Sequence, residues 1–187
     1  MPRLFISHSS KDNIAALAFQ RWLVAQGWSE DDIFIDLHGI TAGDAWRDTL
    51  VRANVACDVL LFLASPDSLG SEECRREVRR AEDDRKDVLV AILHGVTLDD
   101  PRLQPYVDRQ ITSLSAVPLD EPIEVTHQGQ THTVSFNRPA LNSIHTKLIE
   151  WGHAPDSFVW PPKDRPSAGC GDGRTSPPVP CRAPAGR

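Results

Sequence analysis

The sequence predicts a parallel α/β sheet with helices on both faces, and three observations carry the prediction. Continuous apolar runs at Ile33 to Asp36, Val59 to Ala64 and Val88 to Leu93 have the length and composition of strands buried on both sides. Stretches of helical length and patterning separate them. An earlier run, Arg3 to Ile6, passes through a serine-rich turn into a helical pattern within a few positions.

Taken in order, Arg3 to Ile6 is the first strand, and Ser9-x-x-Asp12 is a helix-start signal ahead of the apolar run beginning at Ile14. The helix from Ile14 to Gln26 is expected to end at Gly27. Ile33 to Asp36 is a short second strand, followed by the loop Leu37 to Gly43, with glycines at Gly39 and Gly43 for turns. Asp44 can cap a helix over Ala45 to Ala56. Val59 to Ala64 is the third strand, and Ser71 can cap a helix running to about Arg85. Val88 to Leu93 is the fourth strand. A Pro-containing connection from Thr97 to Tyr106 leads to a weaker strand near Gln110 to Ser113. Ile123 to Thr126 and His132 to Phe136, separated by a segment with Gly129, read as a hairpin, and Pro139 to Trp151 as a last helix. The expected architecture is a flavodoxin-like doubly wound sheet of order 2-1-3-4-5 with a C-terminal hairpin and helix.

Composition narrows the function. With 187 residues, 40% hydrophobic and 25% charged, the chain suits one soluble domain with a sizeable core. A formal charge of -6 with no concentrated Lys/Arg surface argues against a nucleic-acid partner. No membrane-spanning run is visible, so no membrane partner is expected. Residues 1 to 30 lack the features of a secretory signal, which makes the cytoplasm the expected compartment. Cys57, Cys74, Cys170 and Cys181 form no C-x-x-C pair and read as reduced thiols; His127 and His132 fall on the two hairpin strands, so no metal site is expected. From Trp160 onward, Pro and Gly dominate with almost no large apolar residue, and residues 161–187 are expected to be a disordered tail, a linker or appended terminus.

Open parallel sheets bind ligands beyond the carboxyl ends of their strands, near the point where strand order reverses. That rule selects Ser7 to Ser10, Asp36 to Gly43, Ser65 to Ser71 and His94 to Gly95. The first turn has no G-x-G-x-x-G, and the chain has no G-x-x-x-x-G-K-[ST] phosphate loop and no G-x-S-x-G nucleophile elbow. The third strand closes on Ala64-Ser65, without a phosphoacceptor aspartate.

Three segments in order have a recognisable pattern: Phe5-Ile-Ser-His-Ser-Ser-Lys-Asp12, then Ile35-Asp36 with Gly39-Ile40-x-Ala42-Gly43-x-x-Trp46, then Ser65 and Ser71-x-x-Cys74-x-x-Glu77. Together they resemble the successive boxes of Toll/interleukin-1 receptor (TIR) domains, with bacterial members the nearest likeness. The resemblance covers residues 1–115 as the domain core. Residues 116–160, the hairpin and final helix, resemble an extension packed on that core, and Phe158-Val-Trp-Pro-Pro162 runs from its end into the tail.

That family divides between interaction adaptors and enzymes that cleave the nicotinamide–ribose bond of NAD+, with NAD+ as substrate and no cofactor. The resemblance implies that Glu77, on the helix after the third strand, is catalytic. The chemistry suits a carboxylate, because breaking an N-glycosidic bond builds oxocarbenium-like charge on the ribose. The alternative for Glu77 is a solvent-facing glutamate paired with Arg76 or Arg80. Ser7, His8, Asp36, Trp46, Ser65 and Cys74 are the substrate-binding residues the resemblance implies. Trp46 stacks on nicotinamide or ribose, or packs in the core. Cys74 lines the pocket or packs beside Val78 and Ala81, the favoured role. His8 is expected at the site rim, because nothing beside it in sequence orients its ring. Leu37, Gly39, Ile40, Ala42 and Gly43 form the loop that contacts other TIR domains in the family, implying self-association. One departure is Glu73, where enzymatic relatives often carry tryptophan; it lies four residues from Glu77 on one helical face, a spacing at which carboxylates repel and raise an apparent pKa. The expected function is an NAD+ glycohydrolase acting as a signalling or defence effector, releasing ADP-ribose or a cyclised isomer. The alternatives are a non-catalytic TIR adaptor and, third, another nucleotide enzyme on this scaffold, such as a nucleoside deoxyribosyltransferase.

Overall fold

The computed structural model describes residues 3–37 and 44–155, with the side chains of 44–47 excepted. Five strands, β1 (Leu4–Ser7), β2 (Ile33–Ile35), β3 (Val59–Ala64), β4 (Asp87–Ile92) and β5 (Gln110–Ser113), form a sheet of order β2-β1-β3-β4-β5. Every pairing is parallel, with Leu4 beside both Ile33 and Val59, Leu60 beside Val88, and Val90 beside Ile111. This is the expected flavodoxin-like order.

Strand alternation divides the core in two. Leu4, Ile6, Leu61, Leu63 and Leu89 point to one side, where they meet α1 (Asn13–Ala25) through Phe19, Trp22 and Leu23. Phe5, Leu60, Phe62, Val88 and Val90 point to the other, which also holds Leu50 and Ala53 of α2 (Asp44–Ala56), Leu69 of α3 (Pro66–Gly70) and Cys74, Val78 and Ala81 of α4 (Glu72–Asp83). β3 is buried along its whole length, as its unbroken apolar run predicts.

The C-terminal elements belong to the first layer. β6 (Glu121–His127) and β7 (Gln130–Phe136) pair antiparallel through a two-residue turn with Gln128 at φ 50° and Gly129 at φ 78°, the primed turn that suits a hairpin's twist. Ile123, Val125 and Phe136 join Leu141, Ile144 and Leu148 of α5 (Arg138–Glu150) in the core that contains α1. Among the described residues, no helix is long and apolar enough to cross a membrane.

Two local features differ from the sequence reading. The short helix α3 is an addition: Ser65 caps it by accepting from the Ser68 amide, Pro66 takes the first turn, and the Ser68 hydroxyl returns to the Ser65 amide at 2.8 Å. α4 begins at the expected cap, Ser71, but ends at Asp83 rather than near Arg85. Arg85 takes φ 57°, its amide donating to Glu82 and that of Lys86 to Ala81, so a left-handed arginine closes the helix where glycine is usual. The chain then turns Lys86 onto the last carbonyls of α2, those of Asn54 and Val55. The expected tail, 161–187, lies outside the described residues, as do Cys170 and Cys181.

Candidate functional site

The carboxyl ends of β1, β2 and β3 gather most of the sequence-selected residues. Ser7 is the last residue of β1 and 1% exposed, and its hydroxyl donates to Glu77 Oε2 at 2.6 Å across to α4. Glu77 is 6% exposed, which sets aside the solvent-facing alternative; Arg76 pairs with Glu72 instead. The reason lies in the helix pattern: Cys74, Glu77, Val78 and Ala81 fall at i, i+3, i+4 and i+7, so the glutamate occupies the stripe that packs on the sheet.

Burial sets the electrostatics. It pushes the Glu77 carboxyl up to about 7; the Ser7 hydrogen bond opposes this, Glu73 and Asp36 add to it, and Arg80 opposes it. Glu77 thus exchanges its proton near neutrality, with one oxygen held by Ser7. The backbone of that helical turn is held as well: the fully buried Asn54 of α2 donates Nδ2 to the Glu77 carbonyl at 3.3 Å.

Cys74 is 2% exposed, and burial raises its thiol to about 11. It is a protonated packing residue against the sheet, the role favoured from sequence. Cys57, the other described cysteine, is also a free buried thiol.

His8 follows Ser7. Its Nε2 lies 3.0 Å from Asn13 Oδ1, and the amide nitrogen of Asn13 donates to the Leu37 carbonyl at 3.2 Å. The ring is therefore oriented after all, by a residue five positions along at the start of α1. Burial lowers the His8 pKa, with Asn13, Ile6, Asp36 and Asp12 opposing in that order. Asp36, immediately after β2, thus acts electrostatically on both His8 and Glu77.

Ser65 is drawn into the frame. Its hydroxyl donates to Asp12 Oδ2 at 2.5 Å while accepting from the Ser68 amide at 3.0 Å, so it stitches the turn after β1 to the start of α3. Lys11 and Asp67 add a second tie at 2.6 Å across the same junction. Gly95, after β4, takes φ +84°, and a Cβ there would come within 2.9 Å of Pro66, so this turn also closes tightly on α3. Of the remaining selected residues, the Trp46 side chain and Gly39, Ile40, Ala42 and Gly43 lie outside the described residues. Leu37 is anchored through its carbonyl.

Sequence reasoning missed Asn13, Asn54 and Asp12. Asp12 was visible only as a helix-start residue, and the asparagines gave no signal because their partners are backbone carbonyls and a ring brought near by folding. Among the described residues, no group of three or more His, Cys, Asp or Glu is gathered where it could hold a metal ion.

Comparison with known proteins agrees with this geometry. A family model described as a TIR domain matches residues 4–124, from the start of β1 into β6. No curated protein and no solved structure matched the chain. The family match spans well over half of the 187 residues, and the parallel sheet beneath it has the order 2-1-3-4-5; the chain belongs to the TIR domain family.

Proposed function

We propose that this protein is an NAD+ glycohydrolase working in TIR-type signalling or defence, with Glu77 as the catalytic residue. The observation that carries the reading is the buried Glu77 carboxyl, held by Ser7 at 2.6 Å at the carboxyl end of the sheet and titrating near 7. A buried carboxylate costs stability, and groups perturbed in this way cluster at functional sites.

The reaction breaks the bond from ribose C1′ to the nicotinamide nitrogen. The bonding pair leaves with nicotinamide, which departs neutral, and positive charge develops over C1′ and the ring oxygen. The Glu77 carboxylate stabilises that charge, and low local solvation strengthens the effect. Ser7 keeps one carboxylate oxygen fixed, leaving Oε1 to face the ribose. Water then bonds to C1′ and releases a proton; attack by a base nitrogen of the same nucleotide gives the cyclised product instead. The active form is the carboxylate, so turnover rises with pH through about 7.

The test is nicotinamide release from NAD+ by concentrated or artificially clustered protein, comparing wild type with Glu77→Ala and Glu77→Gln. Turnover by wild type, reduced at least about 10²–10³-fold in both variants, is expected. No turnover in any clustered state supports a non-catalytic interaction module instead, and undiminished turnover in both variants removes Glu77 from the chemistry.

A further inference from the structure

A cleft of about 310 Å³ opens between α1 and the hairpin, on the side of the molecule that the candidate site does not use. Leu17, Arg21 and Val24 of α1 and Val125 of β6 line it, together with Glu30 from the 3-10 turn Glu30–Asp32 that follows α1. Leu17 and Val24 pack against the core on one side and are half-exposed on the other, whereas Val125 is 3% exposed. The cleft thus offers an apolar floor between an exposed cation and an exposed anion.

The described residues end beside this cleft. After α5 the Ala154 carbonyl accepts from Arg3 Nη1 at 3.0 Å, and Pro155 is buried. The same guanidinium lies 5.3 Å from the centre of the Trp28 ring, and the Arg3 amide donates to the Asp32 carbonyl at 2.8 Å. Glu30 falls between Trp28 and Asp32, and the Val24 carbonyl accepts from the Gly27 amide at 2.9 Å, so this end of the cleft adjoins the point where the chain leaves. Five extended residues reach about 17 Å, which brings residues 158–160 within range. Those positions hold Phe158 and Trp160, the two aromatic residues of 156–187, with Val159 between them. Val179 is the one other large aliphatic residue there, and it lies 24 residues beyond Pro155.

We propose that Phe158-Val159-Trp160 docks in the cleft between α1 and β6 of its own chain. Residues at i and i+2 of an extended segment face the same way, and Pro161 favours extended backbone at Trp160, so both rings turn to one side. They cover Leu17, Val24 and Val125, and each aromatic ring has far more apolar surface to bury than a half-exposed valine leaves open. Arg21 lies against a ring face, and Lys163, three residues on, has the sign that suits Glu30. The contact is at the amino end of the sheet, since Arg3 precedes β1 and Ser7 ends it. It stands apart from Glu77 and does not depend on NAD+ cleavage.

Methyl NMR on the full chain tests it. Wild type is expected to show NOEs from the Phe158 and Trp160 rings to the methyl groups of Val24 and Val125, and samples mixed from differently labelled molecules should show none between molecules. Phe158→Ala/Trp160→Ala should lose these NOEs and move the Leu17, Val24 and Val125 methyl resonances, because the ring currents are removed. The methyls of Leu61 and Leu89, fully buried on the sheet, should stay in place and report an intact fold. Val24→Asp, at a half-exposed position, should abolish the ring contacts from the other side. Missing NOEs in wild type, methyl resonances indifferent to loss of both rings, or ring contacts that survive Val24→Asp would overturn the proposal. NOEs found only between molecules would assign the cleft to a second copy and overturn it as well.

Discussion

Cys74, Glu77, Val78 and Ala81, on the inner side of α4, are each at most 6% exposed, whereas Arg75, Arg76 and Arg79, interleaved with them in sequence, stand in solvent. On the inner side each residue meets the sheet, and the one charged member is pushed toward neutrality by burial. On the outer side the arginines keep their water: Arg76 pairs with Glu72 at 3.1 Å, and Arg75 and Arg79 stay solvated. The contrast shows how one helix separates two chemistries by periodicity alone: a carboxyl tuned by lost solvation, and a cationic surface tuned by solvent and salt.

The largest expected effect on stability tests whether Glu77 is held against its own preference. The folded chain gives up this proton near 7, while the ordinary glutamate value of 4.5 applies when the chain unfolds. Below about 4.5 both states keep the proton and Glu77 exerts its full stabilising contribution. As pH rises from there through 7, the unfolded chain loses the proton first and stability falls, by about 3 kcal/mol in all. Glu77→Gln still accepts from Ser7 and does not ionise. It should therefore be more stable than wild type at pH 8 by about 3 kcal/mol, on the order of 10 °C in Tm, and similar at pH 4.5. Thermal denaturation at the two pH values checks this; equal melting at pH 8 would mean that Glu77 ionises without penalty.

The next contrast is packing. Val78→Ala removes methyl groups from a residue 1% exposed and should destabilise by about 2 kcal/mol, whereas Arg79→Ala on the exposed side should change stability by less than about 0.5 kcal/mol. Urea unfolding measures both. Comparable effects from the two variants would show that the outer side is also packed.

How much was legible in the sequence follows the same division. The sheet order could be read because β3 and β4 are unbroken apolar runs between helices, and the hairpin because apolar residues alternate on either side of Gly129. The burial of Glu77 was also written in the chain, since Cys74, Val78 and Ala81 define an apolar stripe on which it falls. Its partners were less legible. Ser7 was selected, but its contact with Glu77 spans 70 residues, and Asn54 reaches a backbone carbonyl that has no residue identity to read. α3 was missed because five residues leave too little periodicity, and the end of α4 was misjudged because an arginine, not a glycine, takes the left-handed position.

Ser7→Ala sharpens the inner side further. Ser7 donates to the ionised carboxyl at 2.6 Å and opposes the effect of burial, so its loss should move the Glu77 titration upward by about one pH unit. Carbon-detected NMR of the carboxyl reads this directly. In the proposed enzyme, the acidic limb of turnover moves with it, and a titration that stays in place would show that Ser7 does not hold the carboxylate in solution.

Glu73→Gln gives the smallest expected shift and separates the charge of Glu73 from burial among the causes acting on Glu77. Glu73 is half-buried, so its repulsion passes partly through solvent and is screened by salt, whereas burial of Glu77 is not. Removing the charge should lower the Glu77 titration by a few tenths of a pH unit, roughly 0.3, at low ionic strength, and by almost nothing at about 1 M salt. A shift that persists at high salt would mean that the substitution rearranged the packing around Glu77. No shift at low salt would leave burial as the principal cause and remove Glu73 from the electrostatics of the site.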